Sequence, residues 1–242
     1  MTVVVAVKVY DGIVLAADSA TSLPLHDTST PPVVVGHQVW NNGDKVFHLH
    51  RDLPIGLATW GGAQIESASI SALAKDLRRR FMGRESTLPG WKIDPLNYTI
   101  SDIADKVVEF MYNEMYSQVS PSEAQFIGFI VAVYSSGERL AELWEIGLED
   151  VTKTPRPVQM WGKTEYGWRV QAQPSAVARL FNGSAPGLLE AVKAVVPSAT
   201  HQAVQDLFVN EASAAVLPAM PFADAIAFAK GAAVVKGLSL GL

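Results

Sequence analysis

The sequence contains no cysteine, so disulfides, thiolate catalysis and zinc–thiolate centres are excluded at once. Charge is scarce as well: Asp, Glu, Lys and Arg make up 18% of the residues, and the net balance is only −5. No basic cluster exceeds Arg78-Arg79-Arg80, which closes a helical pattern where cations offset the helix dipole. A nucleic-acid surface is therefore not expected. No uncharged apolar stretch is long enough to span a bilayer, so no membrane partner is expected. The N-terminus has no basic leader, and Lys8, Asp11 and Asp18 interrupt its first apolar run. No signal peptide is expected, and the cytoplasm is the default location. Low-complexity tracts, internal repeats and convincing linkers are missing too. What is present is 242 residues with 49% apolar content, which fits one domain over residues 1–242 with a substantial core.

The chain opens Met1-Thr2 and runs straight into Val3 to Val9, apolar and β-branched as a buried strand is. An Asp11-Gly12 turn and a second run, Ile13 to Ala17, complete a hairpin signal. A polar, Pro-bearing stretch over residues 19–43 carries one short strand at Val33 to Val35. Lys45 to His50 and Ile55 to Trp60 read as another hairpin. Apolar spacing predicts helices over residues 63–82 and 100–116. Strands follow at 126–134 and 140–146, then a segment to about Gln173 without a clear pattern. A strand at 178–181 precedes helical material running almost to the end. Strands alternating with paired helices predict an α+β fold. Several strands are apolar on successive residues, which implies burial on both faces and suggests two stacked antiparallel sheets with helices outside.

Thr2 is the first candidate for chemistry, with an ordinary strand residue as the alternative. Methionine is normally trimmed before a small residue, which would place a hydroxyl and an α-amine on one residue. The amine titrates at about 8, so it can act as a base near neutral pH. A threonine that uses its own amine is a recognised nucleophile–base arrangement. Asp18 and Lys45 stand at the ends of apolar strands, where a charge is costly to bury unpaired. A lysine beside the hydroxyl would favour its ionisation, and an aspartate would hold the lysine charged. Solvated strand ends are the alternative. His48 and His50 share a strand face and could hold a metal, but no third ligand is evident, so packing histidines are expected and no metal or other cofactor is implied. His201 has nothing catalytic near it in sequence.

Together "TVVVAVKVYDGIVLAADSAT" and "GDKVFHLHRDLPIGLATWGGAQ" resemble the proteasome β-subunit and HslV-like family of N-terminal nucleophile hydrolases, which are threonine peptidases. The likeness covers residues 2–80. Beyond them "LFNGSAPGLLEAV" and "PFADAIAFAKGAAVVKG" are similar by order of elements. The resemblance implies a four-layer αββα sandwich and an endopeptidase working inside a homo-oligomeric ring on polypeptide or peptide substrates. An unfoldase partner stays open. By position, the resemblance makes Thr2 the nucleophile and its amine the general base. Lys45 would lower the hydroxyl's pKa, Asp18 would orient Lys45, and Ser184 would support the amine. Gly61, expected at a strand–helix turn, would lend its N–H to the oxyanion. Thr21 and Ser22 would pair their backbone with an extended substrate.

The chain departs from the family in several places. Residues 19–44 are longer than usual, Ala20 stands where arginine is common, and Trp60 sits beside the oxyanion glycine. The family's last helix leads into a strand-forming tail that supports the nucleophile, and this sequence stops at Leu242, where that tail should begin. Either the sequence is cut short there or the site is incomplete. A ring-forming homologue without turnover and a small-amide hydrolase of the same fold are the alternatives. The charge-poor C-terminal helices, with Phe222 and Ala229, are expected either at a subunit interface or packed beneath the missing tail.

Overall fold

The computed structural model describes residues 2–27, 29, 33–85, 87–172, 177, 179, 187–211 and 215–238. Strand β1, Val3–Val9, is buried along its whole length and pairs antiparallel with β2, Gly12–Ala17. The turn between them is Tyr10-Asp11, one residue earlier than the sequence suggests. Gly12 opens β2 instead, and a Cβ there would lie 2.7 Å from the Phe222 ring, so the glycine serves a close approach.

Residues 19–43 are more regular than their polar composition implies. Strands β3, Thr21–His26, and β4, Val34–Trp40, form a two-stranded antiparallel ribbon. Next come β5, Val46–His48, and β6, Ile55–Gly61, the expected hairpin. The first helix begins later than predicted. Residues 63–69 carry the small pair β7, Gln64–Ile65, and β8, Ala68–Ser69, and helix α1 is Ile70–Phe81. Ser69 sets that start, because its Oγ accepts from the Ala72 N–H at 3.2 Å. Helix α2, Ile100–Val108, begins at a Thr99–Asp102 capping box and continues as π-helical turns through Met115.

Strands β9, Ile127–Val133, and β10, Glu142–Leu148, fall close to expectation. The segment without a clear pattern contains β11, Val158–Trp161, and β12, Gly167–Ala172. The strand expected at 178–181 is not borne out where it can be checked. Val177 and Arg179 are helical, and residues 178, 180 and 181 lie outside the described ones. Helices α3, Leu188–Val195, α4, His201–Glu211, and α5, Phe222–Leu238, follow.

The fold is α+β, built on antiparallel sheets. One sheet has strand order β12-β1-β2, and the other has β11-β10-β9-β6-β5. Period-two alternation sends β1 into two cores. Val3, Val5, Val7 and Val9 meet Ala225, Ala229, Ala232 and Ala233 of α5, where small side chains let the helix approach closely. Val4 and Ala6 instead join Ala58, Trp60, Ile130, Leu143 and Trp161 from the five-stranded sheet. On that sheet's other face Leu57, Phe129, Val131 and Ile146 pack with Leu73, Leu77, Ile103, Val107 and Met111 of α1 and the α2 region. Each fully buried side chain of this size contributes roughly 1.5–3 kcal/mol. Ala229 is thus core rather than interface. Among the described residues no helix is long and apolar enough to cross a membrane.

The even-numbered face of β1 ends on a buried cation. Lys8 Nζ donates to the backbone carbonyls of Gly162 at 2.5 Å and Lys163 at 3.0 Å, and lies over the Tyr166 ring. Burial pulls the Lys8 pKa below 10.5, against the opposing pull of Glu142 and Glu165. Between that lowered value and 10.5 the unfolded chain holds more protons than the folded one, so Lys8 contributes stability that grows with pH there. Lys8→Met keeps the stem and abolishes this gain. In urea unfolding, the stability of the native chain relative to Lys8→Met should therefore increase as the pH rises toward 10.5, and a constant difference would contradict it.

Candidate active site

Thr2, at the head of β1, has the same parity as Val4 and Ala6 and so belongs to the face of β1 turned toward the second sheet. Asp18 directly follows β2 and extends its ladder, its N–H donating to the Val3 carbonyl at 3.2 Å. The Asp18 carboxylate turns back along the same strand end, and Oδ1 accepts from the Val3 N–H at 2.7 Å. That bond fixes the carboxylate beside Thr2. Lys45 precedes β5, and its backbone is anchored by the Thr59 N–H, which donates to its carbonyl at 2.9 Å.

From that anchor the Lys45 side chain spans the gap between the sheets. Its Nζ donates to Thr2 Oγ1 at 2.9 Å, to Asp18 Oδ1 at 3.2 Å and to the Ala20 carbonyl. These three acceptors match the three N–H donors of an ammonium group. The pair is secluded, with side-chain exposures of 7% for Lys45 and 13% for Asp18, so its Coulomb attraction is screened far less than at a surface. Because Lys45 has no lone pair as a cation, the Thr2 oxygen acts as acceptor, and its own proton must point elsewhere. A cation at this distance favours the alkoxide over the alcohol.

Thr2, Lys45 and Gly61 line one cavity of about 1080 Å³, which extends past Trp60 and Gln64 to Ser69, Phe126 and Trp40. Gly61 is in that cavity, but it does not sit at a strand–helix turn. It ends β6 opposite Ile127 with φ +89°, and helix α1 begins nine residues later. A Cβ there would lie 2.3 Å from the Phe126 carbonyl oxygen, so both the positive φ and the close approach require glycine.

Thr21 and Ser22 open β3, and their partners are Trp40 and Val39 of β4. At least one part of their hydrogen bonding is therefore internal to the ribbon. Ser184 lies outside the described residues. The two histidines belong to the β5–β6 turn: His48 Nε2 meets the Leu53 carbonyl at 2.8 Å, and His50 Nδ1 accepts from the Asp52 N–H at 3.1 Å. Burial lowers the His50 pKa, which suits a neutral accepting ring. His201 Nε2 faces the Val196 carbonyl at 3.3 Å, within its own helical region.

Sequence reasoning missed several contributors. The Ala20 carbonyl is a backbone group and carries no residue-type signal. Trp40 reaches the cavity because β4 is a strand, which the alternation in "VVVGHQVW" could have indicated. Ala172, opposite Val3 at the end of β12, lines the cavity with φ +75°, unusual for a residue with a Cβ. Nothing in its sequence context signals that. No protein-family model matches this chain, and no curated protein matches it.

Proposed function

We propose that the chain is a threonine-type endopeptidase with Thr2 as nucleophile. The observation that carries this is the Lys45 Nζ–Thr2 Oγ1 hydrogen bond of 2.9 Å, made by a lysine that Asp18 and the Ala20 carbonyl hold in place. Removal of Met1 frees the Thr2 amine. That amine takes the hydroxyl proton as Oγ1 adds to a peptide carbonyl carbon. The oxyanion formed is stabilised by an N–H at Gly61 and by the nearby Lys45 charge. On collapse the C–N bond breaks, the α-ammonium gives its proton to the departing amine, and an ester links Thr2 to the acyl fragment. Water then adds to the ester with the amine again as base, and Oγ1 leaves with its proton restored.

The proposal includes the αββα sandwich of proteasome-like N-terminal nucleophile hydrolases. Three apolar clusters support it: one between helix α5 and the three-stranded sheet, one between the two sheets, and one between the five-stranded sheet and helices α1 and α2. A homo-oligomeric ring in the cytoplasm completes the proposal, since confinement protects other proteins from a peptidase. Exposed apolar side chains at Val35, Val39, Val195 and Leu207 supply surface for subunit contacts.

A masked N-terminus tests the amine's part. A chain carrying a short peptide ahead of Thr2, removable by a site-specific protease, is expected to be inactive toward fluorogenic peptides. It should gain activity when cleavage exposes Thr2. Equal rates before and after cleavage would refute the amine as base. Light scattering on the same sample should give a multi-chain mass, and a monomer would refute the ring.

A further inference from the structure

We propose that a second cavity, at the start of α2, binds a small molecule carrying a protonated amine next to a carbonyl oxygen: a free amino acid or its amide. The cavity, about 410 Å³, falls within the range of sites that enclose small molecules, roughly 300–1,000 Å³. It shares no lining residue with the cavity beside Thr2. The two stand at opposite ends of β9. Gly61, in the Thr2 cavity, pairs with Ile127, whereas Ser135 and Ser136 follow Val133. At about 3.4 Å per residue, that strand keeps them about 20 Å apart. The inference does not depend on the chemistry at Thr2.

Two walls form the site, and hydrogen bonds pin them together. One is residues 96–101, which lead into α2, and the other is the turn from β9 into the first residues of β10. The Ile100 N–H donates to Ser135 Oγ at 3.0 Å, the Ser136 N–H to the Tyr98 carbonyl at 2.8 Å, and Ser136 Oγ to the Pro95 carbonyl at 3.0 Å. Within this frame two donors are unused. Trp144 Nε1 is the one buried side-chain nitrogen or oxygen without a hydrogen-bond partner among the described residues. Tyr98 is only 7% exposed, and burial alone raises its pKa, with no hydrogen bond offsetting the rise. Its hydroxyl is therefore a neutral donor. Leaving such buried groups unpaired is costly, and a carbonyl or carboxylate oxygen in the cavity would satisfy them. Trp144 is half-buried, so its indole has room to tilt toward a ligand.

The acceptor for the amine is Glu142. It lies two residues before Trp144 on β10, hence on the same face, and it is only 9% exposed. Its Oε2 accepts from Gln159 Nε2 at 2.7 Å, which leaves most of a carboxylate's four acceptor positions for an ammonium group. At the rim Lys163 Nζ pairs with Glu138 Oε1 at 2.8 Å, and both side chains are exposed. The charged lining residues are thus Glu138, Glu142 and Lys163, two carboxylates against one ammonium. That balance favours an added cation and disfavours a simple anion.

Calorimetry on the full chain with leucine, leucinamide, N-acetyl-leucine and 4-methylpentanoate tests this. Leucine and leucinamide should bind at millimolar concentrations. The tighter of the two identifies the source, and the excess of carboxylates predicts the amide. N-acetyl-leucine and 4-methylpentanoate lack the ammonium and should bind at least about tenfold more weakly. Glu142→Gln should weaken leucinamide by at least about tenfold. Trp144→Phe, which keeps a ring and deletes the N–H, should weaken both amines about threefold to tenfold. Thermal unfolding without ligand checks that each variant folds, and Tyr98→Phe gives a milder third reading of the same site. Equal binding of all four compounds, no binding of either amine, or unchanged affinity in the folded variants would overturn the inference.

Discussion

Replacing Lys45 by alanine is expected to reduce peptide hydrolysis by about a thousandfold or more, to near background, because groups acting as one catalytic unit lose nearly everything when one is removed. The Lys45 ammonium is the only cation hydrogen-bonded to Thr2 Oγ1 among the described residues, at 2.9 Å. Without it the developing alkoxide has no opposite charge beside it, and the secluded surroundings make that loss larger than it would be in water. Folding should suffer less. Asp18 keeps its bond from the Val3 N–H, so its carboxylate is not left wholly unpaired, and a cost of about 1–3 kcal/mol is expected. Lys45→Arg preserves charge but not shape. A planar guanidinium cannot direct three tetrahedral donors at Thr2 Oγ1, Asp18 Oδ1 and the Ala20 carbonyl, so most activity should still be lost. Steady-state rates together with thermal unfolding check both halves. A Lys45→Ala chain that turns over peptide at a near-native rate would remove the lysine from the mechanism.

Thr2→Ala should be equally inactive and barely destabilised. The change deletes Oγ1 from a half-buried residue at the head of β1, while Lys45 keeps Asp18 and Ala20 as acceptors. Thr2→Ser separates the oxygen from the methyl group. The hydroxyl remains, but without the β-branch χ1 is no longer confined, and the oxygen spends less time beside Lys45. Activity about tenfold to a hundredfold below native is expected, with the pH profile unchanged, since the base is the same amine. Rates across pH for the native, Thr2→Ser and Thr2→Ala chains are the check, and a Thr2→Ala chain that still cleaves would exclude the hydroxyl as nucleophile.

The strands that carry the site were legible because they are apolar on successive residues and bounded by turns. β1, β2, β6 and β9 all have that form; burial on both faces explains it for β1, β6 and β9, whereas β2 is half-buried beyond Gly12. Thr2, Asp18 and Lys45 were legible only as a constellation. Each is a common residue, and what singles them out is that the three strand ends carrying them converge. The misses have local causes. Residues 63–69 look helical by spacing, yet Glu66 adopts φ 50° in a tight turn, and Ser69 caps the helix where it really begins. The ribbon was hidden because polar and Pro residues lower strand propensity, although cross-strand pairing compensates. β11 and β12 are short and half-exposed, so no apolar run marks them. Ala229 was misplaced since an alanine gives no hint of which face it is on; it packs against the β1 valines. The π-helical turns after Val108 have no sequence signature that separates them from ordinary helix.

The most direct measurement of the central claim is covalent trapping at the first mature residue. A peptidyl epoxyketone closes a six-membered ring only with a hydroxyl and a free α-amine on the same residue, so it reads the nucleophile and the base together. After incubation, intact mass should show a chain without Met1 carrying one inhibitor, and peptide mapping should locate the adduct on Thr2. The Thr2→Ala chain should remain unmodified. A retained Met1 with no adduct, or an adduct on any other residue, would contradict the account.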